Sequence, residues 1–280
     1  MSDKFGSGIG YSSLNTARSA LSLISSSIDG HQIGSHAIVS RMIKGIGKLR
    51  PPARKYNSTW NPDIVLNYLK TLWPLESLIM KQLVYKCVTL LALISAQRVQ
   101  TLSLIRLSEI QLCEAKIEIF ISEAIKTSKP GALQPKICIP VFKDSPELCL
   151  FTTMKYYIEK TKFLRAGIDN LFLSLSSPSK AVGSQTISRW IKHTMADSGI
   201  DVQKFKAHSC RHSATSAAYK RGVSIDQIKR TAVWTENSKT FFMFYTKPSS
   251  YILIYRDTVV PLSFGGTWWH PGCKLCRKPG

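Results

Sequence analysis

Apolar residues recur at helical spacing along most of this chain. In GYSSLNTARSALSLISSSI, Leu14, Ala17, Leu21 and Ile24 share one face, with Ser12 or Ser13 as the expected cap, and HAIVSRMIKGI forms a second helical segment. Asn61-Pro62 supplies an N-cap followed by proline in the first turn, opening two long helices from Asn61 to Ile94. The apolar run from Leu83 to Ala96 is broken by Lys86 and is too short to cross a bilayer, so it reads as a buried helix. Val99, Leu102 and Ile105 then begin another periodic segment, which leaves Arg98 at a junction between helices. The spacing changes at Ile117, Ile119 and Ile121 and again at Ile137 and Ile139, where alternation predicts strands joined by a turn on Pro130 and Gly131. Helices are expected within Pro146 to Leu164, over Ser184 to Ala196, around His208 and Arg211, and in two short pieces carrying Trp234 and Tyr245. The expected class is mainly α with a small antiparallel sheet near residues 109 to 140.

A length of 280 residues at 44% hydrophobic content supports one sizeable core and a small appended unit. Charge adds a partner class: 38 Lys and Arg against 17 Asp and Glu give +21, an excess suited to a polyanion. DNA, RNA and an anionic membrane all satisfy charge alone. Basic residues gather from Lys44 to Lys55, and Arg50, Arg54 and Lys55 fit either a linker lying along phosphates or a solvated loop. The polar, glycine-rich start MSDKFGSGIG lacks a cleavable signal, so a soluble intracellular protein is expected. Seven cysteines, an odd number, fit a reducing compartment. Cys87, Cys138 and Cys149 read as small core residues, and Cys210 as a redox liability. In WWHPGCKLCRKPG, His270, Cys273 and Cys276 offer three close ligands where a structural zinc takes four, which favours a plain basic tail.

The stretch AHSCRHSATSAAYKRGVSIDQIKRTAVWTENSKTFFMFY carries the candidate chemistry. His208 and Arg211, at i and i+3 of a helical segment, are expected to reach one phosphate from one face, while His212 reads as packing. A tyrosine hydroxyl ionises near pH ~10, so attack by Tyr245 on phosphorus needs cations and a base beside it. Taken singly, each of these residues is more commonly a packed or solvated group. Arg98 and the hairpin lysines Lys126 and Lys129 enlarge the set.

Arg98, Lys126, the His-x-x-Arg of His208 and Arg211, Trp234 and Tyr245 stand in the order of the tyrosine recombinase (phage integrase) family, which the chain resembles over roughly Trp60 to Pro248. The wording ISAQRVQTL, KTSKPG, HSCRH and FYTKP looks most like recombinases of DIRS-type and Ngaro-type eukaryotic retroelements. The resemblance implies a three-stranded sheet in the catalytic fold and strand cleavage through a 3′-phosphotyrosyl link. It casts Arg98 and Arg211 as the phosphate clamp and Tyr245 as nucleophile. Lys126, with Lys129 as rival, resembles the general acid at the leaving 5′-oxygen. His208 resembles the group assisting proton transfer at the tyrosine, and Trp234 a donor to a phosphate oxygen. The chemistry calls for no cofactor and no metal, because the arginines supply fixed positive charge.

The chain departs from the family pattern at Thr101, where an acidic residue is common, and at Val233, where glycine usually precedes the Trp or His position. The expected organisation is a partial helical clamp domain over 1–49, a basic linker over 50–60, a catalytic domain over 61–250, and a docking segment with a tail over 251–280. Arg50, Arg54, Lys55 and Lys129 are the expected DNA contacts besides the catalytic set. The resemblance also implies double-stranded DNA as partner, a homotetramer on paired sites, work in the nucleus, and no membrane; the apolar YILIY of 251–255 fits either the docking element between protomers or a segment folded back onto its own domain. The competing reading is a DNA-binding remnant that has lost strand exchange.

Overall fold

The computed structural model describes residues 2–51, 58–128, 130–131 and 134–234. The chain divides into two compact units, Met1–Asn57 and Ser58–Gly280.

Among the described residues the first unit has three helices, α1 (Ser2–Gly6), α2 (Tyr11–Ile24) and α3 (Ala37–Leu49). α2 begins ahead of the expected serine caps: Gly10 is its N-cap and no side chain bonds there. The reason is packing, because Tyr11 belongs to the apolar cluster and extends the helix to reach it. Leu14, Ile43 and Ile46 form the buried centre, ringed by Phe5, Ile9, Tyr11, Val39 and Met42. Gly47 permits the approach of α2 to α3, since a Cβ there would meet the Tyr11 ring at 3.2 Å. Leu23 and Ile24, by contrast, are 85% and 80% exposed, so the apolar face of α2 is covered only at its start.

In the second unit, Asn61 Oδ1 accepts from the Asp63 backbone N–H and Pro62 opens α4 (Pro62–Thr71), as the capping pair predicts. The pair of long helices is interrupted: Pro74 cannot continue α4, a short 3₁₀ turn covers Leu75–Ser77, and α5 runs over Met80–Ser95. α5 is buried on nearly every side and forms the centre of the unit. Its one charged core residue, Lys86, is fully buried and donates to the Leu72 carbonyl at 2.5 Å, closing the end of α4. Burial pushes its ammonium down to about 8.

Ala96, left-handed at φ 48°, ends α5, and α6 (Val99–Ser103) follows with Arg98 at its N-cap. Strands β1 (Ile110–Leu112), β2 (Lys116–Phe120) and β3 (Lys136–Pro140) form an antiparallel sheet in that order. Ile117 pairs with Ile139 and Ile119 with Ile137, so the alternating isoleucines share the buried face. The same alternation puts Cys138 opposite Glu118, whose carboxylate bonds Lys116 and Lys136. Cys138 is therefore half-buried among charged groups, not a core residue, whereas Cys87 and Cys149 are buried. α7 (Leu150–Thr161), α8 (Ser184–Asp197) and α9 (Ser209–Lys220) pack against α5, and α10 (Ile225–Thr231) packs on α9. Among the described residues, no helix is long and apolar enough to cross a membrane.

Candidate active site

Three segments distant in sequence meet at the end of α5. Arg211 projects from the first turn of α9 and is 2% exposed. Its Nη1 donates to the Ala96 carbonyl at 2.5 Å, and its Cζ lies 4.8 Å from the centre of the Trp234 ring. With Nη1 held by Ala96, the edge formed by Nε and Nη2 has the spacing that suits two phosphate oxygens. The left-handed turn at Ala96 exposes a carbonyl that a continued α5 would have used internally, and it places Arg98, half-buried, two residues further on.

Trp234 is delivered by the end of α10. Val233 N–H donates to Arg230 O and Trp234 N–H to Lys229 O, the paired bonds of a Schellman C-cap, in which Val233 occupies the left-handed position at φ 51°. Glycine is the usual residue there because a Cβ is strained in that region, and a β-branched one more so. The Val233 departure noted in the sequence is thus accommodated with strain and without losing the turn. The Trp234 ring also packs against a buried cluster of Ala218, Val223 and Ile228.

His208 is not inside a helix with Arg211. It is the N-cap residue of α9, one position before the helix begins, and it is exposed while Arg211 is buried. His212 is half-buried, and its ring packs edge-on against that of His208 at 5.3 Å. Cys210 is buried, and burial pushes its thiol up to about 12, which makes it an inert core group in place of the expected redox liability.

Lys126 occupies a turn of its own ahead of Pro130 and Gly131. Ser128 N–H donates to Ile125 O at 2.9 Å, Ile125 N–H donates to Ser128 Oγ at 2.8 Å, and Ser128 Oγ contacts Gln134 Oε1 at 2.9 Å. Ile125 is buried and Lys126 exposed, so the turn is anchored by an apolar side chain and presents the ammonium to solvent. No hydrogen bond or ring contact joins it to Arg98, His208, Arg211 or Trp234 among the described residues. Arg50 ends α3 with its Nη1 donating to the Phe5 and Ile9 carbonyls, both at 3.1 Å, and its Cζ 4.1 Å from the Phe5 ring centre. Tyr245, Lys129, Arg54, Lys55, the YILIY segment and the cysteines of the tail lie outside the described residues. Among the described residues, no three His, Cys, Asp or Glu are grouped to hold a metal ion.

Sequence reasoning did not single out two residues that fasten this site. Trp60 is buried, its indole N–H donates to Ser209 Oγ at 2.8 Å and its carbonyl accepts from Ser213 Oγ at 2.7 Å, which fixes the start of α9. Gln97, also buried, donates from Nε2 to Thr231 O at 2.8 Å. A tryptophan just before the Asn61-Pro62 cap was the only local signal for the first. Nothing in the sequence marks the second beyond its place beside Arg98.

The described fold is similar to several solved recombinases. XerH in a post-cleavage complex with a palindromic difH substrate superposes with a TM-score of 0.56 at 12% identity, covering 86% of this chain and 65% of that one. A λ integrase dimer bound to a COC′ core site gives 0.52 at 17% identity, covering 92% and 65%, and XerA recombinase gives 0.50 at 15%, covering 87% and 80%. Across two XerH complexes the chain spans 50% and 65% of the neighbour's length. At such identities the likeness speaks to fold alone, that of a tyrosine recombinase catalytic domain. No curated protein matches the chain. The model of the phage integrase family matches residues 75–250, a stretch that contains Arg98, Lys126, His208, Arg211, Trp234 and Tyr245, and the chain belongs to that family.

Proposed function

We propose that this protein is a DNA recombinase or integrase that breaks and rejoins strands through Tyr245. The observation that carries the reading is the buried Arg211, fixed by Ala96 O and Trp234 within two residues of Arg98. A guanidinium held this way needs no reorganisation when charge develops on a phosphate. Arg98 and Arg211 neutralise the non-bridging oxygens while the Tyr245 oxygen attacks phosphorus and the P–O5′ bond breaks. The tyrosine proton passes toward His208, and Lys126, or Lys129 beside it, protonates the departing 5′-oxygen. The phosphotyrosyl bond conserves the energy that a second 5′-hydroxyl uses to rejoin the strand.

The charge of +21 supports double-stranded DNA as the partner, with Arg54 and Lys55 as backbone contacts. For Arg50 the carbonyls of Phe5 and Ile9 compete with phosphate for its donors. The motif wording supports descent from a DIRS-type or Ngaro-type mobile element, hence action on nuclear DNA by a tetramer on paired sites. In that reading 1–49 is part of a DNA clamp, 50–60 a linker, 61–250 the catalytic domain and 251–280 the docking segment. A second reading, a DNA-binding remnant without strand exchange, draws support from the strained Val233 immediately before Trp234.

The deciding experiment incubates the protein with a nicked suicide duplex, using the ends of the parent element as substrates, and scores a covalent adduct on a denaturing gel. The adduct is expected with the intact chain and not with Tyr245→Phe, which should retain salt-sensitive DNA binding. Binding without an adduct from the intact chain selects the remnant. An adduct that persists in Tyr245→Phe overturns the nucleophile.

A further inference from the structure

Gln97 lies between the two residues that matter most at the end of α5: Ala96, whose carbonyl accepts from Arg211, and Arg98. It is 4% exposed, and its backbone N–H is received by Ser95 Oγ at 3.3 Å, itself bonded to Leu91 O. The side chain turns the other way. Nε2 donates to Thr231 O at 2.8 Å, across 134 positions of sequence, and lies 3.5 Å from Ser95 O.

Thr231 is the last residue of α10, so its carbonyl belongs to the terminal set that the helix does not satisfy internally. The Schellman bonds of Val233 and Trp234 go to Arg230 O and Lys229 O. Gln97 therefore supplies to Thr231 a donor that α10 does not provide for itself. The links form a closed circuit: the 96–97 backbone holds α10 through Gln97, α10 carries Trp234, Trp234 stacks on Arg211, and Arg211 returns to Ala96. Opening one link leaves Arg98 attached to a junction no longer registered against the Arg211–Trp234 pair.

We infer that Gln97 is a positioning residue that fixes Arg98 in register with Arg211 and Trp234 for contact with the same phosphate. The inference rests on the recombinase reading of the site. It concerns geometry, since Gln97 is buried and has no direct role at the DNA. A misplacement of about 1 Å costs on the order of 100-fold in rate where catalysis depends on fixed charges.

The test compares Gln97→Met, which keeps bulk and removes the donor, with Gln97→Asn, whose amide is one methylene too short. Single-turnover adduct formation is measured on a phosphate suicide duplex and on one with a methylphosphonate at the scissile position. The methylphosphonate lacks the negative charge that the arginines neutralise, so registration of Arg98 matters less there. The expected result is a loss of about 10- to 100-fold on phosphate and less than about threefold on methylphosphonate, with unchanged DNA affinity. Thermal melts identify any variant that does not fold, and the other variant then decides. Equal losses on both substrates, no loss on either, or failure of both variants to fold would assign Gln97 a structural role only and overturn the inference, while a wild-type adduct leaves the recombinase reading standing. Absence of a wild-type adduct on both substrates overturns the recombinase reading itself, and this inference with it.

Discussion

Arg211 is buried, bonded to Ala96 and stacked on Trp234, whereas Lys126 stands exposed in a turn pinned by Ile125 and Ser128. The two cations are held in opposite ways, and the proposed chemistry asks for that difference. A charge that stabilises a phosphorane-like transition state is most effective when its position is settled beforehand in a water-poor site. A proton donor must reach a leaving oxygen and be reprotonated from solvent, which favours a long side chain on an accessible turn. Burial of Arg211 requires partners from two other segments, while the Lys126 turn closes on its own residues.

The sharpest way to break this comparison is Arg211→Met. It is expected to lower unfolding free energy by about 2–4 kcal/mol, through loss of the Ala96 bond and the Trp234 contact, and to reduce cleavage by at least about 1,000-fold. Denaturant melts and adduct assays check the two effects; a variant of near-normal stability would mean that the hub is not a fixed element. Lys126→Ala should leave stability within roughly 0.5 kcal/mol and slow cleavage by about 100- to 10,000-fold on ordinary DNA. On a duplex with a 5′-bridging phosphorothiolate, whose sulfur leaves without a proton, most of that loss should disappear. An equal loss on both substrates would point to Lys129 as the general acid or to a structural role for Lys126.

Lys86 provides a third case, a cation buried like Arg211, donating to Leu72 O and lying 5.6 Å from the centre of the Trp73 ring. Its pKa is depressed from 10.5 to about 8 by desolvation. Below pH about 8 both folded and unfolded chains carry the charge and the full penalty applies. Between about 8 and 10.5 the unfolded chain binds more protons, so stability rises with pH, by about 3 kcal/mol at most, and levels off above that window. Lys86→Met is expected to flatten this rise relative to wild type in urea melts at pH 7, 9 and 10.5. An unchanged slope would show that the ammonium is better solvated than its burial indicates. The smallest effect is expected at Val233→Gly, which should stabilise the protein by about 1 kcal/mol by relieving the left-handed valine. A loss of stability there would mean that packing by the valine side chain outweighs its backbone strain.

Much of the fold was legible because its signals are local. Asn61 and Pro62 cap α4 through atoms two residues apart, and the alternating isoleucines of β2 and β3 fix their own buried face. The places where reading failed are those where a distant segment intervenes. Tyr11 lengthens α2 by packing on the first unit's cluster, and the sheet register carries Cys138 to the charged face. The order Arg98, Lys126, His208, Arg211, Trp234 was visible as types at positions. What the spacing did not show is that His208 is exposed and Arg211 buried at the start of α9, which Trp60 holds through Ser209 and Ser213.

The sequence by itself determined the helix-rich class, a small antiparallel sheet, the cationic excess and the order of the residues proposed for phosphoryl chemistry, because periodicity, capping and composition act over a few residues or over the whole chain. Only the tertiary structure decided that Arg211 meets Ala96 and Trp234, and that Gln97 completes the last turn of α10. The Ala96–Arg211 and Gln97–Thr231 bonds join residues more than a hundred positions apart, and the Arg211–Trp234 contact spans a helix and a turn; no local pattern encodes the burial and backbone turns that bring such groups together.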